Sequence, residues 1–407
     1  MYLFAFRPLS GKQKIPQRSS RLCGEYIKFG GGLMMESWMV GDLKPNPRLL
    51  MGPGPSNVHY RVYQAMLAPV IGYLDPQILA CMDDISEMLR GLFQTKNRLT
   101  IAISATGSSG MEASFVNFVE PGETVIIGVN GFFAERMAEV ASRCGAKVIR
   151  IDQEWGKIVE PERLIKALKE HPEAKICGVV HAETSTGVRE PLEEIGAYCK
   201  KVDTLFLVDA VTSLGGCEVK VDEWGIDICY SCSQKGISVP PGLSPITASP
   251  KAMDVLRSRK TKVQSFYLDL LLLEKYWGEE RVYHHTAPVS MFYALREGLR
   301  IIFEEGLEAR FKRHQTLGDR LKMELEGFGF KLFAQEGYRL PVLTSASLAD
   351  GVNDVQTRKK LLDEYNIEIG GGLGQLKGKV WRIGLMGETC KIQNILSLMG
   401  ALKSILM

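Results

Sequence analysis

The sequence predicts an α/β fold: a large domain on a mostly parallel seven-stranded sheet, followed by a smaller C-terminal α+β domain. Two observations carry this. Seven short runs, "RLTIAIS", "ETVIIGV", "AKVIRID", "KICGVVHA", "TLFLVDA", "DICYSCS" and "LSPITAS", are nearly continuous in apolar, β-rich residues. Helical patterns such as "GSSGMEASFVNFV", "FFAERMAEVASRCG" and "EPERLIKALKEH" separate the earlier ones. Strands buried on both faces lose polar alternation, and parallel neighbours need helical crossovers between them.

In chain order, residues 1–48 read as an N-terminal extension, flexible at least to residue 33. "FRPLSGKQKIPQRSSRLCGEYIK" carries Arg7, Lys12, Lys14, Arg18, Arg21 and Lys28 against Glu25, a composition similar to an organelle transit segment. Its basic residues show no helical spacing against apolar ones, Pro16 interrupts it, and Met34 or Met35 would serve as a later start. A flexible extension or an over-long start is therefore expected ahead of targeting. Residues 49–300 form the large domain. "RLLMGPGPSNVHYRVYQAM" has a Pro/Gly segment incompatible with regular structure, then amphipathic helical patterns to about Gln94, then the strand–helix alternation. Residues 301–407 form the small domain, joined by a long helical pattern, "APVSMFYALREGLRIIFEEGLEARFKRHQTLGDRLKMELEGFG". Short strands follow at "LPVLTSASL" and "KVWRIGLMG", and a last helix at "IQNILSLMGALKSIL".

Composition excludes several functions. The 407 residues carry 50 Lys+Arg against 47 Asp+Glu, a formal charge of +3 without a concentrated basic patch, which argues against nucleic acid and against membrane surfaces. Nine irregularly spaced cysteines, no secretory apolar segment and no run of membrane-spanning length lead to the expectation of a cytoplasmic protein with reduced thiols.

Ligands of open parallel sheets gather beyond the carboxyl ends of the strands, so the residues there are informative. Thr106, Gly107 and Ser108 lie where a helix begins. Free N–H groups and hydroxyls there suit a phosphate, although an ordinary N-cap reads equally well. Phe132 and Phe133 end another strand, either as core or as a ring platform. Asp209 ends "TLFLVD", where a buried acid costs several kcal/mol unless a cation or donor pairs with it. Lys235 in "SQKGISVPPG" is the cation expected as its partner, in an ion pair or in a larger arrangement. A phosphate cradle, an aromatic plate, a buried acid and a partly desolvated lysine together are what pyridoxal 5′-phosphate requires.

From about Leu49 to the C-terminus the chain resembles the class V aminotransferases of the fold-type I pyridoxal-phosphate enzymes, specifically the alanine–glyoxylate and serine–pyruvate group. "GPGPSNV", "TGSSGMEA", "NGFF", "HAETSTGV", "LVDAVTSLGG", "SQKGISVPPG", "YHHTAP" and "VWRIGLMG" carry the resemblance. It implies Lys235 as the Schiff-base lysine and proton shuttle, and Asp209 at the pyridinium nitrogen. It implies Thr106, Gly107, Ser108 and Gln234 at the phosphate, Phe133 on the ring and Thr184 near the ring hydroxyl. Arg382 would grip the substrate α-carboxylate, with Gly54 allowing close backbone approach. Tyr283 and Thr286 would reach the phosphate in the neighbouring subunit, which implies a homodimer with shared sites. Human-type members usually present tryptophan in the "NGFF" segment. Phenylalanine still stacks, so a weaker or differently tilted plate is expected.

The implied reaction is ping-pong transfer of an amino group from alanine or serine to glyoxylate or pyruvate. Ureidoglycine–glyoxylate and 2-aminoethylphosphonate–pyruvate transfer are the alternatives, and the "YHHT" run favours the alanine/serine group. A cysteine desulfurase would need a reactive loop cysteine with a supporting motif. A non-catalytic homologue would be expected to lack Lys235, Asp209 or Arg382. No metal is expected: Cys229 and Cys232 sit in or beside one strand, three residues apart, with side chains on opposite faces. His284 and His285 fit the dimer interface, and "IGGGLGQLKG" fits an active-site loop rather than a dinucleotide fingerprint.

Overall fold

The computed structural model describes residues 41–406; the readings made for residues 1–40 lie outside them. After β1 (Leu49–Leu50) the chain passes through a Gly/Pro segment into α1 (Tyr60–Met66) and α2 (Pro76–Phe93). α2 starts where the Asp75 side chain accepts the Gln77 N–H and Pro76 takes a position with no helical N–H to satisfy, and it ends at Gln94 in the left-handed conformation.

The strands β2 (Leu99–Ile103), β3 (Thr124–Val129), β4 (Lys147–Asp152) and β5 (Ile176–Val180) then alternate with α3 (Gly107–Phe118), α4 (Phe132–Arg143) and α5 (Pro161–Glu170). A hairpin of β6 (Ala182–Glu183) and β7 (Val188–Arg189) leads through α6 (Glu193–Cys199) to β8 (Leu205–Asp209), β9 (Ile228–Tyr230) and β10 (Ser244–Ala248). The seven predicted runs form one sheet in the order β2-β10-β9-β8-β5-β3-β4, parallel except for β10, which runs against both neighbours. β4, one of the two edge strands, is partly exposed; the other six, the opposite edge β2 included, are wholly buried, as their apolar composition requires.

Beyond α7 (Pro250–Arg257) and α8 (Leu270–Trp277), the single long helical pattern is two helices, α9 (Val289–Glu305) and α10 (Leu307–Gly327). Gly306, at φ +83°, breaks them apart, a conformation that glycine adopts without a Cβ penalty. The second layer contains β11 (Lys331–Leu332), β12 (Leu343–Ser347), α11 (Asp354–Tyr365), β13 (Ile367–Glu368), β14 (Gly370–Gly371), β15 (Val380–Gly384) and α12 (Ile392–Leu406). Its antiparallel sheet, β11-β12-β15-β14, packs Trp381 and Ile383 against Leu321 and Leu325 of α10 and Leu398 of α12. Two glycines of the segment read as a loop are thus the edge strand β14, paired with β15.

β1 pairs in parallel with β13, the Gly384 N–H donates to the Met51 carbonyl, and Met51 is buried in this second core. The opening segment is therefore built into the last part of the chain. Among the described residues no helix is long and apolar enough to cross a membrane.

Candidate active site

The parallel strands point one way, so the segments following them meet at one sheet edge. Gly54, Thr106, Gly107, Ser108, Phe133, Thr184, Asp209, Gln234 and Lys235 all line one cavity there, of about 270 Å³. A larger open groove of about 1250 Å³, bordered by Arg98, Arg257 and Asp269, contains none of them.

Thr106 is the extended N-cap of α3, and its side chain makes no capping hydrogen bond. The first-turn N–H groups of this helix face the cavity end of β2 with the positive end of the helix dipole. A Cβ on Gly107 would lie 2.9 Å from Cys232 Cβ, so only glycine fits this turn. The buried side-chain oxygen of Gln234, also in the wall, has no hydrogen-bond partner.

Asp209 is 3% exposed. Its Oδ2 accepts the Tyr230 hydroxyl at 2.7 Å and its Oδ1 the Val211 N–H at 2.8 Å. Burial pushes its pKa up to about 6, opposed by these two donors and by the charges of Lys235 and Arg136. The expected lysine–aspartate ion pair is not formed. Tyr230 is the register partner of Asp209 across β8 and β9 and meets the carboxylate first. Lys235, beyond the strand, instead donates from Nζ to the Pro53 carbonyl.

Burial pulls the Lys235 ammonium below its ordinary pKa, with the Arg382 charge acting in the same direction, while Cys232 and Asp209 oppose it. Gly54 has φ +106°, and a Cβ there would fall 2.4 Å from Lys235 Cδ and 2.7 Å from Nζ. The lysine and the Gly/Pro segment are in close contact by construction.

Phe133 meets Phe132 edge-on at 5.7 Å, and the Arg136 guanidinium lies 5.0 Å from the Phe133 ring centroid. The Thr184 and Thr212 hydroxyls are hydrogen-bonded. Arg382 is 7% exposed and does not border the cavity itself; its Nε donates to the Gly371 carbonyl at 2.8 Å. Burial brings its pKa down to about 10, with the Glu183 charge opposing.

Tyr283 and Thr286 are not in this cavity. They lie on an exposed segment, their hydroxyl oxygens 3.5 Å apart, with Tyr283 52% exposed. His284 and His285 tie that segment to the sheet. His284 Nε2 faces the Phe266 carbonyl at 3.0 Å and must donate, so in the neutral pair its Nδ1 accepts from His285 Nδ1 at 2.8 Å. His285 Nε2 then accepts from the Ser104 hydroxyl at 2.7 Å, just before the Thr106 turn. Cys229 and Cys232 are buried and free, and among the described residues no group of three or more His, Cys, Asp or Glu is arranged to hold a metal.

Tyr230, Arg136, Thr212 and Glu183 are the site residues that the sequence reading missed. Glu183 carried the same signal as Asp209, an acid just beyond a buried apolar strand.

An uncapped helix start, a buried aspartate and an enclosed lysine lie together at the carboxyl edge of this sheet, and the fold is that of the fold-type I pyridoxal-phosphate enzymes. Within that class the chain belongs to the class V aminotransferases, since the family described as "Aminotransferase class-V" matches residues 59–382. It is a transaminase that works with pyridoxal 5′-phosphate. The (S)-ureidoglycine–glyoxylate transaminase of Bacillus subtilis is 41% identical over 378 residues, covering 88% of this chain and 91% of the relative. The alanine–glyoxylate aminotransferase of Mus musculus is 40% identical over 352 residues, covering 86% and 85%. The crystal structure of an alanine–glyoxylate aminotransferase from Nostoc sp. superposes with a TM-score of 0.89 at 50% identity, covering 91% of this chain and 98% of that one.

Proposed function

We propose that the chain transfers the amino group of alanine or serine to glyoxylate or pyruvate in two alternating half-reactions, as a homodimer whose sites are shared. The observation that carries this is the convergence of Lys235, Asp209 and the α3 cradle on one cavity. The residues fit the cofactor: the cradle excludes any side chain at Gly107, and the Gln234 amide, turned about its last bond, offers its NH₂ to a phosphate. Thr106, Gly107, Ser108 and Gln234 would hold that phosphate, Phe133 would stack on the ring and Thr184 would meet the ring hydroxyl. Asp209 would accept the N–H of the ring nitrogen.

Bound there, the cofactor supplies an electron-withdrawing ring that acidifies the substrate Cα–H. Lys235 would hold the cofactor covalently, and its Nζ, once freed by substrate, would be the acid–base group that moves the substrate Cα proton. A lowered lysine pKa favours the neutral amine that this step needs. Arg382 pairs with the substrate carboxylate through its free guanidinium nitrogens, while Gly54 lets the backbone lie close to it. Tyr283 and Thr286, on an exposed segment outside the cavity of their own chain, would serve the partner's.

The relatives support glyoxylate as an acceptor, since each of the three names it. A second reading, (S)-ureidoglycine as donor, rests on the Bacillus relative, which is as similar as the mouse one. The intact Tyr283–Thr286 run favours alanine or serine. The free described cysteines support a reducing compartment, the cytoplasm. The test is a donor-by-acceptor panel that follows the cofactor's visible absorption. L-alanine or L-serine should bleach it and glyoxylate restore it, and Lys235→Ala should abolish turnover. Bleaching by (S)-ureidoglycine alone would favour the second reading, and full turnover by the Lys235 variant would refute both.

A further inference from the structure

The chemistry above leaves Glu183 without a task, although it is 0% exposed, precedes Thr184 and bonds to Phe133. Its Oε2 accepts the backbone N–H groups of Phe133 at 3.0 Å and Ala134 at 3.1 Å. Its Oε1 accepts the Ser185 N–H at 2.9 Å and the Ser185 hydroxyl at 2.6 Å. That hydroxyl oxygen in turn accepts the Phe132 N–H at 3.0 Å. The N-cap of α4, Gly131, has no side chain to do this, so residues 183–185 satisfy three successive N–H groups of the first turn.

The helix start is shaped around the carboxylate. A Cβ on Gly131 would lie 2.3 Å from Glu183 Cγ and 2.8 Å from Oε2. Burial opposes ionisation and raises the Glu183 pKa, while four donors and the positive end of α4 favour the anion.

We propose that Glu183 is a positioning residue which, by accepting four hydrogen bonds, two at the start of α4 and two from Ser185, clamps the Phe133 plate to the Thr184 turn. This rests on reading the cavity as the cofactor site. It adds a residue that touches neither cofactor nor substrate yet sets the pose of one wall.

The test uses the holoenzyme of Glu183→Gln and Glu183→Asp. Glutamine keeps an oxygen for the Phe133 and Ala134 N–H groups but turns its NH₂ toward the Ser185 N–H, so the Phe133 side of the clamp is retained and the Ser185 side is lost. The visible circular dichroism of the bound cofactor should therefore change in Glu183→Gln. A lowered melting temperature with unchanged dichroism would reduce Glu183 to a helix cap and overturn the proposal.

If Glu183→Gln does not fold, Glu183→Asp decides alone. Its shorter carboxylate cannot span both Phe133 and Ser185, so the cofactor's visible circular dichroism should change. Unchanged dichroism overturns the clamp. Lys235→Ala must abolish the pH-dependent band; if it does not, the reading of the site has failed rather than the role of Glu183.

Discussion

Asp209→Asn separates the cost of burying this carboxyl from its use. Folding raises its pKa from an ordinary 3.8 to about 6, mainly through burial. The folded chain therefore holds this proton more tightly than the unfolded chain does. Stability is unaffected by the group below the unfolded value, falls as pH rises between the two values, and stays lower above them. At about 1.4 kcal/mol per pH unit, that gap corresponds to a loss of about 3 kcal/mol. Asparagine is isosteric and cannot ionise. Its oxygen still accepts the Val211 N–H, and the Tyr230 hydroxyl can rotate to accept from its NH₂, so the local hydrogen bonds are kept. The experiment is urea unfolding of the apoprotein at several pH values between 3.5 and 8, because a protonated ring nitrogen beside Asp209 would itself lower its pKa. The difference in stability between Asp209→Asn and wild type should grow in favour of the variant by about 3 kcal/mol from the acid to the neutral end. Parallel curves would refute the account of Asp209 as a desolvated acid. The same variant as holoenzyme should lose about a hundredfold or more in kcat, since the ring nitrogen loses its anionic partner.

Arg382→Lys replaces a planar fork with a point charge and should raise KM for amino and oxo acids about tenfold or more, at about 1.5–3 kcal/mol for a charged hydrogen bond, with a smaller effect on kcat. Steady-state kinetics check it, and an unchanged KM would move the carboxylate site elsewhere. Phe133→Ala should weaken cofactor binding about tenfold, while Phe133→Trp should hold or tighten it, both read by equilibrium titration of the apoprotein.

The large sheet was legible because its strands are buried on both faces and therefore apolar throughout. The positions of Thr106, Asp209 and Lys235 follow from that alternation once strand ends are taken as ligand positions. What was not legible depends on contacts between distant segments. Two-residue strands such as β1 and β13 carry no periodicity, and their pairing joins residues more than 300 positions apart. Which donor meets Asp209 was not legible, because a run such as "DICYSC" does not say which neighbouring strand it will lie beside. Only the β8–β9 register brings the Tyr230 hydroxyl to the carboxylate before any lysine. The break at Gly306 was written in the sequence as a glycine within a helical pattern, yet the same residue is often tolerated there. Arg136 lies one helical turn beyond Phe133, a spacing that could have marked it as a companion of the plate.

The pairing of β1 with β13 has a mechanical corollary. Pro53, whose carbonyl takes the Lys235 ammonium, follows Met51, and Met51 is bonded to the same strand, β15, that carries Arg382. A Cβ on Gly370, the register partner of Arg382, would collide with the Pro53 ring. The tether of the lysine and the grip on the carboxylate therefore stand on one foundation. Any displacement of the second core would be transmitted to both, so substitutions buried there should change kcat and KM together, far from any reacting atom.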